Sequence, residues 1–357
     1  MRSIRNLTLV LPMVIAIAGC ATPQTRHVFV SESATKEEAA RQMELAAQDM
    51  MEEQKRLLRV FRQLSTKAYA LCGERIGPSI GAFTMTKSKG EMGDALARLY
   101  GIKDQPTVAF TLDGGPAEKA GVRPRDVFLS VDGVSTNDKT AMEALADKRS
   151  PDDPMVLVVD RAGVAMTFTV QPERGCRYSV GLSPDQSINA FADGKRIMVA
   201  RGMMNFARDD NELALVLSHE LAHNTMKHID AKKQNMGVGL LADLAVVLLT
   251  RGRTSNTNFA QAGAGAYSQE YEAEADYVGL YIMANAGLPI AEAPKFWRRM
   301  AAAHPANIKT NHSASHPSTS YRMVALEATV KEIDEKVARK EPLIPNMKDG
   351  MPIAPNK

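Results

Sequence analysis

Ser218-His219-Glu220-Leu221-Ala222-His223 sits inside an apolar run that begins at Glu212 and ends near His228. It reads HELAH, the pattern HExxH. On a helix His219 and His223 stand four residues apart, so both imidazoles leave one face about one turn apart and reach a single metal ion. Glu220 then points toward the water such an ion would hold. The flanks favour that helix: Asp209-Asp210-Asn211 supplies an N-cap, and Leu213, Val216, Leu217 and Leu221 recur at helical spacing. The alternative is a buried helix with two satisfied histidines, and three fixed positions do not separate the two.

A zinc site that hydrolyses wants three protein ligands and one open position for water. His228 follows His219 by nine residues, where a metzincin places its third histidine ten after the first and needs a glycine between; it reads instead as a polar residue at the helix C-terminus, where histidine is favourable. His304 and His312 read as surface residues. Glu272 is the better candidate, in Ser268-Gln269-Glu270-Tyr271-Glu272-Ala273-Glu274-Ala275-Asp276-Tyr277-Val278-Gly279. This segment predicts a helix that runs to Ala286 and stops at Gly287 and Pro289. Glu272 and Asp276 share a face, so one carboxylate can bind metal while the other orients a ligand imidazole. Glu270 and Glu274 occupy a rotated face, and solvated surface charge is the alternative for all four acids.

HExxH followed some fifty residues later by Glu272-Ala273-Glu274-Ala275-Asp276 resembles the gluzincin metallopeptidases of the HtpX and CaaX-prenyl-protease type. That resemblance implies Glu272 as third ligand to one zinc ion, beside His219 and His223, with Asp276 behind them and Glu220 as general base on polypeptide substrates. It extends to a His-Pro motif with an arginine six residues on, His316-Pro317-Ser318-Thr319-Ser320-Tyr321-Arg322, and to Asn189-Ala190-Phe191-Ala192, similar to the family's segment near the substrate strand. The match covers roughly Asn189 to Arg322. Ser318 reads as the N-cap of a helix Tyr321 to Arg339, which would gather His316 and Arg322 at its positive end as donors to a developing oxyanion.

Outward from this site, the 357 residues are 45% apolar and 24% charged, a globular composition that suggests about two domains. The fold class expected is α+β: a mostly α, zincin-like catalytic domain with a small sheet, preceded by a β-rich PDZ-like domain and a long N-terminal helix. Arg2 and Arg5 lead into the apolar run Leu7 to Ala18, too short to span a bilayer, so residues 1–19 read as a secretion signal. Ile17-Ala18-Gly19-Cys20 resembles a bacterial lipobox, which implies acylation of Cys20 and a lipid bilayer as partner. With Ala21 after the cysteine, the resemblance implies the outer membrane, facing the periplasm. Of 44 basic side chains, two lie in residues 1–19, leaving 42 against 41 acidic ones. That balance gives no reason to expect nucleic acid.

With Cys20 acylated, Cys72 and Cys176 are the remaining cysteines, and an oxidising compartment lets them pair. The bridge would staple the two ends of the module between them; two buried thiols are the alternative. Residues 20–35 read as a tether. Residues 36–71 contain no glycine or proline, and Met43, Met50, Leu57, Leu64 and Leu71 recur every seven residues, which predicts a long amphipathic helix that packs on its own chain or on a second copy.

Short β-rich runs fill residues 73–175: Ile80 to Thr86, Thr107 to Leu112, Val127 to Val131, Met155 to Asp160 and Ala165 to Val170. Gly115-Pro116-Ala117-Glu118-Lys119-Ala120-Gly121, the Asp126 that opens a strand, and the turn Asp132-Gly133 resemble the core of a bacterial PDZ domain, with Arg125 where that family usually has glycine. The resemblance implies that an extended peptide, often a C-terminus, adds to a sheet edge beside a helix Thr140 to Asp147; a closed spacer is the alternative. Ile80-Gly81-Ala82-Phe83 is similar to a carboxylate-binding loop.

The catalytic domain is expected over residues 177–340. It opens with extended segments Ser187 to Phe191 and Arg196 to Ala200 around a hairpin-like turn. Val238 to Thr250 reads as a buried helix, and Arg251 to Ser268 as a mobile loop, either a lid or a surface loop. Residues 341–357 form a proline-containing tail able to occupy the cleft. The function expected is a zinc endopeptidase of the bacterial envelope; the rival is an assembly chaperone or adaptor with a latent or structural zinc site.

Overall fold

The computed structural model describes residues 25, 28–250, 268–303 and 320–348. Its longest element, α1 (Glu32–Lys67), starts where the Ser31 side chain accepts the Ala34 N–H and ends before a single 3-10 turn, Tyr69–Leu71. The helix therefore begins and ends four residues earlier than its periodicity suggests. Its apolar face is buried within this chain. Ala47 and Met51 join one core, while Leu57, Val60, Phe61 and Leu64 join another. One continuous helix thus packs on both halves of the molecule.

Between Cys72 and Cys176 the chain makes an excursion. It leaves through β1 (Ile76–Ser79) and returns through an antiparallel partner, β8 (Glu173–Cys176), with Ile76 opposite Cys176. Cys72 and Cys176 are joined by a disulfide, their Cα atoms 5.2 Å apart.

The excursion itself comprises β2 (Ala82–Met85), α2 (Glu91–Tyr100), β3 (Thr107–Thr111), α3 (Pro116–Lys119), β4 (Val127–Val131), β5 (Val134–Ser135), α4 (Lys139–Lys148), β6 (Met155–Arg161) and β7 (Val164–Val170). The strands pair antiparallel in the order β2-β3-β4-β6-β7, with β5 folded back on β4. One face buries Val108, Phe128, Leu157, Val159 and Val170. On the other face Ala109 and Phe110 meet α1 and α2. Asp132 and Gly133 both have positive φ, 49° and 80°, and form the two-residue turn between β4 and β5. Arg125, where the PDZ pattern has glycine, holds φ 74°. The turn keeps its left-handed backbone despite the side chain, whose guanidinium donates to the Leu99 carbonyl at 3.1 Å.

After β8 come β9 (Ser179–Ser183), β10 (Ala190–Ala192), β11 (Arg196–Ala200), α5 (Arg201–Phe206), α6 (Asp210–Thr225), α7 (His228–Leu249), α8 (Ser268–Asn285), α9 (Ala293–Ala303) and α10 (Ser320–Ala338). The three strands run in the order β10-β11-β9, with β11 antiparallel to β10 and parallel to β9. Asp209 caps α6 by accepting the Glu212 N–H, and the helix is buried from Leu213 to Thr225. Arg56 and Arg59 of α1 both reach Asp210 in its first turn, at 2.9 and 2.6 Å. Arg299 of α9 holds Glu212 through two nitrogens, at 2.6 and 2.7 Å.

One expectation needs correction. The apolar half of α7 is not buried: Val238, Leu240, Leu241, Leu244, Leu248 and Leu249 are all exposed. The helix follows a turn at Lys227, and apolar composition alone carries no information about neighbours. No described helix is long and apolar enough to cross a membrane. The tail as far as Lys348 lies against α8 and α10. Lys336 donates to the Ile344 carbonyl at 2.7 Å, Asn285 to the Leu343 carbonyl at 2.8 Å, and the Asn346 N–H to the Tyr277 hydroxyl at 2.9 Å. Cys20, residues 251–267 and residues 349–357 lie outside the described residues.

Candidate metal centre

Helices α6 and α8 cross at Gly279. A Cβ built there would stand 3.2 Å from the backbone of Ser218 and His219, so the glycine sets how closely the helices approach. The approach brings three side chains to one point. His219 Nε2 and His223 Nε2 are 3.1 Å apart. Glu272 Oε2 lies 3.3 Å from the first and Oε1 3.4 Å from the second. All three residues are buried, and among the described residues this is the cluster whose donor atoms converge within 4.8 Å. Two imidazole nitrogens and a carboxylate, each with its donor atom aimed at the others, fit a divalent ion and suit zinc by donor type. Glu220 follows His219 on α6 and is 2% exposed.

The surroundings orient these donors. His219 Nδ1 lies 2.9 Å from Asp276 Oδ1. Burial alone would lower the His219 pKa, but Asp276 and Glu272 raise it to about 9 in the absence of a metal. Burial likewise opposes the charge on Asp276, yet Arg322 and His219 hold its carboxyl below the usual range. Trp297, the sole tryptophan, packs its ring 5.0 Å from the His219 ring and 5.3 Å from the Arg322 guanidinium. Asn224, in the last turn of α6, accepts the Gly194 N–H at 2.7 Å and donates to the Arg196 carbonyl at 3.2 Å. The β10–β11 hairpin is thereby fastened to the helix that carries the histidines.

The structure gathers His219, Glu220, His223, Glu272, Asp276 and Arg322 in one place, with Ala190 opening the adjacent β10 and Asn189 just before it. Arg322 lies against the two carboxylates of α8. Its Nε and Nη2 engage Asp276 at 2.7 and 2.8 Å, and Nη1 lies 3.4 Å from Glu272. Burial opposes its charge, and Asp276, Glu272 and Glu220 more than offset that. It sits among the carboxylates as their cation. His304, His312 and His316 lie outside the described residues.

His228 departs from expectation. It opens α7 instead of closing α6, and it is 1% exposed. Its Nδ1 lies 2.9 Å from His223 Nδ1, and its Nε2 lies 2.9 Å from Glu274 Oε2. The reading of the sequence therefore missed His228, Glu274, Trp297, Asn224 and Gly279. A glycine inside a helix that should have none was the available signal for the last.

Residues 161–330 match peptidase family M48, and residues 112–161 match the PDZ domain. The mitochondrial metalloendopeptidase OMA1 of Schizosaccharomyces pombe is 28% identical over 221 residues, which is 60% of this chain and 65% of that protein. A putative beta-barrel assembly-enhancing protease of Vibrio cholerae is 30% identical over 130 residues, 33% of this chain and 27% of that protein. The chain thus spans less than two thirds of either relative. A crystal structure of the HtrA3 PDZ domain bound to a phage-derived ligand aligns over 28% of this chain and 88% of its own, at 19% identity and a TM-score of 0.22. The metal-ligand cluster lies within the first match, and β4, β5 and β6 of the excursion's sheet lie within the second: residues 161–330 are similar to peptidase family M48, and residues 112–161 to a PDZ domain.

Proposed function

We propose that this chain is a zinc-dependent endopeptidase of the bacterial cell envelope that hydrolyses unfolded or misassembled envelope proteins. The convergence of His219, His223 and Glu272 beside Glu220 carries this reading. A zinc ion held by those three ligands would supply Lewis acidity, polarising the scissile carbonyl and acidifying a water. Glu220 takes the proton of the attacking water and passes it toward the leaving amine. Arg322 and Asp276 keep His219 and Glu272 in place while that proton moves. β10 ends its sheet with one edge unpaired by any described strand, and Phe191 on it is exposed. An extended substrate adds there, beside Asn189 and Ala190, and an open edge accepts the middle of a chain as readily as its end.

The PDZ domain binds peptide C-termini and so brings substrates to the same molecule. Acylation at Cys20 anchors the protein in the outer membrane, facing the periplasm. Two observations support the envelope: the disulfide between Cys72 and Cys176 suits an oxidising compartment, and the bacterial relative is named for beta-barrel assembly.

Incubating unfolded casein with the wild-type chain and with Glu220→Gln, each assayed for bound zinc, tests the proposal. The expected result is one zinc per chain in both and cleavage by the wild type alone. Equal cleavage by the variant would remove Glu220 as the base, and peptide binding without cleavage by the zinc-loaded wild type would favour an adaptor.

A further inference from the structure

We propose that His228 and Glu274 form a positioning relay that orients His223 toward the metal; this rests on reading His219, His223 and Glu272 as a zinc site. The relay is a line of three groups. Glu274 Oε2 stands 2.9 Å from His228 Nε2, and His228 Nδ1 stands 2.9 Å from His223 Nδ1. His223 Nε2 completes the line at the cluster, 3.1 Å from His219 Nε2. His228 is 1% exposed, and its ring lies 4.8 Å from the Tyr271 ring with 28° between their planes, which fixes its tilt.

Hydrogen-bond direction follows from the far end of the line. A carboxylate only accepts, so the proton of His228 sits on Nε2 and donates to Glu274. In the neutral imidazole His228 Nδ1 is then a lone pair. A contact between two ring nitrogens needs one donor, which must be His223 Nδ1–H. The remaining nitrogen of His223, Nε2, is left with its lone pair facing His219 and Glu272. The other histidine reaches the same state in one step, because Asp276 Oδ1 lies directly beside its Nδ1.

Helix α8 therefore serves all three ligands with three acids spaced two residues apart. Glu272 is itself a ligand, Asp276 orients His219, and Glu274 orients His223 through His228. Partners of this kind raise ligand basicity and fix ring orientation, and losing one typically weakens metal binding ~10–100-fold.

The test measures zinc affinity of the full chain by competition with a chromogenic chelator. Glu274→Ala and His228→Phe should each weaken zinc binding about 10–100-fold. Phenylalanine keeps the ring against Tyr271 but offers no hydrogen bond. His228→Gln, whose amide both accepts and donates, should recover most of the affinity, which a packing role would not predict. Glu274 has 42% of its side chain exposed, so Glu274→Ala carries the test alone if His228→Phe does not fold. Wild-type affinity in both Glu274→Ala and His228→Phe overturns the relay. If Glu272→Ala also binds zinc as the wild type does, the zinc site itself has failed and the relay with it.

Discussion

Arg322 and Asp276 face each other inside the protein as a two-point ion pair, Nε 2.7 Å from Oδ2 and Nη2 2.8 Å from Oδ1. The pair ties α10 to α8 directly behind the metal ligands. Asp276 also reaches His219, and Arg322 also reaches Glu272. Replacing Arg322 with methionine leaves His219 as the cation beside two buried carboxylates, and breaking a buried ion pair typically costs about 3–5 kcal/mol. Denaturant unfolding of metal-free Arg322→Met should show a loss of that size. Arg322→Lys should recover only part of it, since an ammonium cannot make the two parallel bonds. Wild-type stability in Arg322→Met would remove the pair from the account of this site.

Gly279 makes a second prediction through geometry alone. The nearest atoms to an added Cβ are backbone atoms of Ser218 and His219, and backbone does not rotate out of the way. Gly279→Ala should push α8 off α6, at a cost of about 1–3 kcal/mol. Glu272 travels with α8, so zinc affinity should fall as well. Glu270→Ala, on an exposed position of the same helix, should change neither quantity. Chelator competition and thermal unfolding on the two variants decide the matter.

The bridge between Cys72 and Cys176 closes a loop with a sequence separation of 104. Disulfides typically contribute about 2–4 kcal/mol. Cys72→Ser with Cys176→Ser should lose that amount in denaturant unfolding, and reduction of the wild type should lose the same. A wild type whose unfolding is indifferent to reductant would exclude the bridge.

Much of the site could be read from residue order, because helical spacing is strict. Four residues between His219 and His223, and again between Glu272 and Asp276, place each pair on one face whatever surrounds them. Asp209 announced the start of α6 by its chemistry as a cap. The end of α6 was not announced. Its break falls at Lys227, which takes φ 56°, a conformation that glycine or asparagine would have advertised and lysine does not. His228 was therefore misplaced, and with it the partner of His223. Arg125 hides a turn in the same way. The exposed half of α7 failed for another reason: hydrophobicity records an appetite for burial, whereas burial needs a neighbour. Trp297 and Asn224 lie far along the chain from what they touch, and no local pattern encodes such meetings.

The antiparallel neck of β1 and β8 has a consequence for how such a protein is assembled. The chain enters and leaves the excursion at points whose Cα atoms are 5.2 Å apart, within the span of an ordinary β-turn. Seen from the metal-binding body, the excursion is a plug-in unit with both leads at one socket. A single cut and join at that socket would swap the excursion, and the body would keep its helices and its His219, His223 and Glu272. The matching surface is the half of α1 that carries Ala47 and Met51, so a replacement unit must bring its own apolar face for those residues.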